Sequence, residues 1–242
     1  MSVVGDGHRP QSRTETPGQI FARAFRELVP HSAVPGFDVE FRPFAKLRST
    51  IRFDASTERM RVRLSDLLET APAEVLAGLA ELLIGRLYGK KAPTPARKAY
   101  RRWVNSPATE RRILEAARTR GKKHMRPPAG RVHDLDALFD SLNERYFDAA
   151  LRKPRLGWSV RASRRTMGNY DRAHDAIVVN RKLDDRDVPI VAVEYVLFHE
   201  MLHVRHPVRW RRGRRIIHPP ELLADERRFD GYEEAREVLL SL

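Results

Sequence analysis

The sequence predicts an α+β protein, and three observations carry that expectation. Residues 188–198 form an apolar run, closing on His199, that reads as a buried helix. Three short runs precede it at 156–160, 166–170 and 176–180, rich in β-branched and aromatic residues, and read as strands. Before them Leu135, Leu138, Phe139, Leu142 and Tyr146 recur at helical spacing. Helix, then strands, then helix is the segregated order of an α+β domain rather than the alternation of a parallel α/β sheet.

The remaining elements follow in chain order. Residues 1–18 carry no apolar h-region and read as a flexible tail. Thr16-Pro17 supplies an N-cap with proline at N1, opening a helix through Ile20, Phe21, Phe25 and Leu28. Residues 50–53 and 60–64 read as two short strands. Thr70 to Pro72 starts an apolar helix from Val75 to Tyr88 that stops near Gly89. Pro93 and Pro95 precede a basic helix with Tyr100 and Trp103, and Ser106-Pro107 caps another that ends at Gly121. The sequence therefore divides into a mainly helical N-terminal region at 19–121, a linker at 122–131 holding Pro127-Pro128, and a domain at 132–242. In that domain residues 171–175 turn the second strand into the third, which makes a hairpin. Arg212-Gly213 tips a second hairpin between 208–210 and 215–217. Helices over 218–229 and 232–240 close the chain.

Strand, strand and helix also recur at a separation near 117 residues. Phe53-Asp54, Met60 to Val62 and the helix after Val75 match Tyr170-Asp171, Ile177 to Val179 and the helix after Val193. A degenerate repeat of the later unit in the N-terminal region is one reading of this, and chance recurrence of two strands and a helix is the other. In that first copy Glu81, Leu82 and Gly85 occupy the places of His199, Glu200 and His203, and no metal can bind there.

Composition bounds the function. The chain has 242 residues, 41% hydrophobic and 32% charged, with a net charge of +14. That makes it globular, and it favours nucleic acid or another polyanion as a partner, with solvated basic faces as the alternative. No apolar run approaches the roughly 18 residues of a membrane span. Cysteine is absent, which excludes disulfides and thiolate ligands and fits a cytoplasmic setting. Any metal must therefore be held by histidine and carboxylate. The basic residues cluster at Lys90-Lys91, Arg97-Lys98, Arg101-Arg102 and 122–126, and most densely at 209–215. There Arg209, Arg211, Arg212, Arg214 and Arg215 could follow a phosphate backbone while Trp210 stacks on a base of single-stranded or damaged DNA. A solvated basic hairpin accounts for the same residues equally well.

Residues 199–203 spell HExxH. On a helix, i and i+4 share a face, so His199 and His203 can address one ion with Glu200 beside them. The pattern suits a single catalytic zinc that keeps one position open for water, with Glu200 as the base that accepts the water proton. A third protein ligand is still required. The metzincin continuation fails, because His206 stands where glycine is needed and Arg209 where the last histidine is needed. Glu221, His218 and, less suitably, His206 remain. Glu221 and Asp225 are also candidates for orienting the ligand imidazoles.

Residues 135–240 resemble the SprT-like zinc metallopeptidase family, which includes Spartan-type proteases of DNA–protein crosslinks. The resemblance rests on blocks at 138–147, 156–158, 167–171, 177–180, 197–203 and 218–222. It departs from the family at Leu222, where an aromatic is common, and in the arginine-rich insertion between His203 and His218. The resemblance implies a zincin-like domain with His218 as the third zinc ligand, and hydrolysis of peptide bonds in DNA-associated proteins. A general cytoplasmic peptidase, or a nucleic-acid-binding protein with a structural or vestigial zinc, are the alternatives.

Overall fold

A computed structural model describes residues 15–90, 94–211 and 214–242. The chain is α+β, and its contacts divide it into two compact units between Val104 and Asn105. The first unit runs α1 (Pro17–Leu28), β1 (Gly36–Arg42), β2 (Ser49–Asp54), β3 (Arg59–Ser65), a 3-10 turn (Asp66–Leu68), α2 (Ala73–Leu87) and α3 (Pro95–Val104). The second runs α4 (Pro107–Arg120), α5 (Leu135–Phe147), β4 (Arg155–Trp158), β5 (Gly168–Asp171), β6 (Ala176–Val179) and a 3-10 turn (Arg181–Leu183). It continues through α6 (Ile190–Arg205), β7 (Arg209–Arg211), β8 (Arg214–Ile216), α7 (Pro220–Glu226) and α8 (Tyr232–Ser241).

Each unit wraps helices round its own apolar cluster. In the second, Leu135, Phe139 and Leu142 of α5 meet Ile177 and Val179 of β6 and Val193, Leu197, Met201 and Leu202 of α6. In the first, Phe21 and Phe25 of α1 meet Val62 and Leu64 of β3 and Leu76, Ala80 and Ile84 of α2. These are the positions the helical and period-two patterns select, because burial of one face is what fixes such elements.

The two units share one plan. The sheets are ordered β1-β3-β2 and β4-β6-β5, each with an outer parallel strand and an outer antiparallel strand on the middle one. Phe53 pairs with Met60 as Tyr170 pairs with Ile177. The N-caps of α2 and α6 are Pro72 and Pro189, the same 117 residues apart. The strand–strand–helix unit expected of a repeat is therefore present, with a correction to its register. An offset of 117 sets Leu82, Leu83 and Arg86, not Glu81, Leu82 and Gly85, opposite His199, Glu200 and His203. Glu81 instead pairs with buried Arg97 (3.4 Å), so that arginine serves the core of the first unit rather than a basic surface. α3 lies close on α2 because Gly78 has no side chain; a Cβ there would meet the Ala96 carbonyl oxygen at 2.0 Å.

Two domain expectations are revised. Helix still predominates in the N-terminal region, but β1 adds a strand that completes a three-stranded sheet. Phe37, Val39 and Phe41 alternate with Asp38, Glu40 and Arg42, a period-two pattern that the sequence reading passes over. The division also falls ahead of α4, so α4 and the 122–131 segment belong to the second unit. That segment is tied down and is no linker. Arg126 bridges to Trp158, whose indole N–H donates to the Pro128 carbonyl at 2.9 Å. The Asp184 carboxylate accepts the amides of Arg131, Val132 and His133 at 2.7, 2.9 and 3.1 Å. The tail expected at 1–18 lies mostly outside the described residues; its last part, Pro17-Gly18, already belongs to α1. Among the described residues no helix is long and apolar enough to cross a membrane.

Candidate metal centre

α6 is the element that builds the site. Ala192, Val193, Val196, Leu197, Met201 and Leu202 are buried and lock its rotation. With the helix fixed, His199 and His203 fall one turn apart on the half-buried side, and Glu200 points inward at 6% exposure. The Nε2 atoms of His199 and His203 lie 3.2 Å apart. His218, just ahead of α7, closes the group, and one nitrogen from each of the three rings lies within 4.8 Å of the others. Two ligands held tetrahedrally at roughly 2.0–2.1 Å from a zinc ion stand about 3.3 Å apart, a spacing the His199–His203 pair could accommodate.

The surroundings favour neutral rings at His203 and His218. His199 Nδ1 donates to Glu226 Oε1 at 2.7 Å, which leaves Nε2 as the acceptor facing the cluster. Burial works against charge on His199, but Glu226 and the field of Glu200 outweigh it and raise its pKa. Burial and the neighbouring imidazoles His199 and His218 push His203 down to about 4. His218 is lowered for the same two reasons, burial and His199. Glu226 also accepts the Tyr195 hydroxyl at 2.7 Å, and the His199 hydrogen bond holds its carboxyl below the ordinary range. A carboxylate behind an imidazole is the usual device for setting the tautomer and angle of a metal ligand.

Glu200 is fixed from the other side. β5 is an edge strand, and its Tyr170 amide donates to Glu200 Oε2 at 2.7 Å instead of to another strand. Burial raises the Glu200 pKa against the opposing pull of His199, the Tyr170 amide and Lys123. Gly168 makes room for the carboxylate, since a Cβ there would lie 2.7 Å from Glu200 Oε1. A cleft of about 350 Å³ opens here, lined by Thr166, Met167, Gly168, Tyr195, Val196, His199, Glu200 and Glu226 among others.

The other third-ligand candidates stand aside. His206 Nε2 is 2.8 Å from Asp225 Oδ2, and exposed Glu221 pairs with Arg209 at 2.8 Å. Neither Glu221 nor Asp225 therefore orients an imidazole of the three-histidine cluster; the residue that does, at His199, is Glu226, which the sequence reading missed. Its signal was its place four residues after buried Leu222, on the inward side of α7.

The basic hairpin is more committed to the protein than the sequence implied. Besides the Arg209 pair, the Trp210 indole N–H donates to the Asn105 carbonyl at 2.6 Å, and Arg215 lies 3.3 Å from Glu110. Arg211 and Arg214 are exposed and make no ion pair among the described residues, and Arg212 lies outside those residues. Comparison with family models, curated proteins and solved structures finds no match for this chain.

Proposed function

We propose that the chain is a zinc-dependent metalloendopeptidase of the SprT-like, zincin type, acting in the cytoplasm on DNA-associated proteins. One observation carries the reading: three imidazoles converge beside a buried carboxylate that an edge-strand amide holds in place. His199, His203 and His218 would hold one zinc ion, and the all-nitrogen donor set and 3.2 Å spacing fit it. Bound there, zinc would supply Lewis acidity towards a scissile carbonyl and make a water molecule acidic near neutral pH.

The chain's own residues do the rest. Glu226 keeps His199 oriented. Tyr170 N–H engages one oxygen of Glu200 and leaves the other to take a proton and return it to the leaving amine. A raised pKa suits Glu200 to that exchange, because a base too weak would not accept the proton and one too strong would not release it.

Cleavage of an unfolded protein by the zinc-loaded chain is expected, and Glu200→Ala should lower it by about 10²–10⁴-fold while keeping the metal. Undiminished turnover in that variant would defeat the assignment. The DNA part of the reading rests on the net charge of +14 and the exposed Arg211 and Arg214. Single-stranded DNA should stimulate cleavage at low salt and lose that effect steeply as salt rises. The internal pairing of Trp210 and Arg215 favours a second reading, a general peptidase, for which DNA makes no difference.

A further inference from the structure

His218 stands at the end of an arm that the core does not hold. No described residue between Val204 and Leu222 joins the apolar cluster of the second unit, and Ile217 is 43% exposed. Polar ties must therefore set where the arm lies. The Arg209–Glu221 pair is more than half exposed at both ends, and such pairs fix little. His206 ties the start of the arm to Asp225 at 2.8 Å, and two further ties, nearer His218, converge on the start of α4. Trp210 donates its indole N–H to the Asn105 carbonyl, and Arg215, three residues before His218, reaches Glu110.

Glu110 is no ordinary surface acid. It is 8% exposed, and the oxygen that meets Arg215 also accepts Arg172 Nη1 at 3.0 Å. A carboxylate taken out of water needs such partners, and losing one leaves charge uncompensated. The two guanidinium groups come from the two segments that finish the site. Arg215 belongs to the arm that delivers His218. Arg172 sits in the β5–β6 turn, two residues beyond the Tyr170 amide that holds Glu200.

We propose that Glu110 is a positioning residue of the metal centre, a brace that fixes the His218 arm and the turn after Tyr170 in one geometry. Helix α4 thereby completes a site whose recognisable motifs all lie downstream of residue 134. The inference rests on the reading that the three histidines hold zinc. It makes the third ligand depend on a side chain that never approaches the ion.

The test is zinc affinity of the full chain, measured by competition with a chromophoric chelator, for wild type, Glu110→Gln, Arg215→Gln and Glu115→Gln. Glu115 is an exposed acid on the same helix that pairs, among the described residues, with Arg118, and its variant should match wild type. Glu110→Gln and Arg215→Gln should each weaken zinc binding about 10–100-fold, the usual effect of losing support behind a ligand. In the zinc-free proteins trypsin should also cut the arm faster in both variants, a change that altered metal chemistry alone would not produce. Should Glu110→Gln fail to fold, Arg215→Gln decides alone, because that side chain is 41% exposed and its loss leaves Arg172 on Glu110. Wild-type affinity and wild-type trypsin resistance in the folded variants would overturn the brace. A wild type that takes up no zinc would overturn the metal reading itself, a separate outcome.

Discussion

Gly168 and Glu200 face each other across the gap between edge strand β5 and helix α6, and the carboxylate occupies the space a side chain on residue 168 would need. A methyl group at that position would sit 2.7 Å from Glu200 Oε1 and 2.8 Å from Val196 Cγ1. Gly168→Ala should therefore push the carboxylate off the Tyr170 amide while sparing the three imidazoles. Activity is expected to fall at least tenfold with zinc content unchanged, as paired cleavage and metal analysis would show; full activity would mean that the Glu200–Tyr170 contact does not matter. At this scale the sequence was a good guide to which imidazoles lie together, because i, i+4 spacing on a buried helix dictates which rings meet. It was a poor guide to their supports. Glu226, Tyr195, Tyr170 and Gly168 act through tertiary contacts between elements far apart in the chain, and no local pattern marks such pairs.

At the level of elements, the clearest case is the segment between α4 and α5, which proline and charge make look like a linker. The Asp184 carboxylate turns it into structure by accepting three successive amides. Burial alone would raise the Asp184 pKa, but those amides, with His133, hold it below the ordinary value. Its contribution to stability is thus complete above the unfolded pKa of about 3.9 and is lost as pH falls through the lower folded value. Asp184→Ala should cost about 2–3 kcal/mol at neutral pH, and denaturant melts should show the gap to wild type closing below about pH 4. A gap independent of pH would show that packing, not charge, is what the residue supplies. The helices and hairpins were legible because capping residues and alternating burial announce them: Thr16 with Gln19 forms a capping box, and β5 and β6 pair across the 171–175 turn. The anchored segment was not, since its partner lies some fifty residues away.

The molecule as a whole holds two copies of one plan with separate cores, and among the described residues the three-histidine cluster lies in the second. The repeat was readable because strand register and helix start keep a constant separation. Its register at the motif needed the N-cap positions, Pro72 and Pro189, to be fixed. A fragment of residues 105–242 is expected to fold and bind zinc as the full chain does, since its core and its site are its own. Shortening it to 132–242, the boundary the motifs alone imply, removes Asn105, Glu110 and the Arg126 bridge and should weaken zinc binding at least tenfold. Equal affinity in the two fragments would show that the region ahead of residue 132 adds nothing to the metal centre. The measurement that bears most directly on the whole account is zinc per chain in purified wild type and His218→Ala. One zinc in wild type, with clear loss in the variant, is the result expected of a three-histidine centre. Full zinc in His218→Ala, or none in wild type, would contradict it.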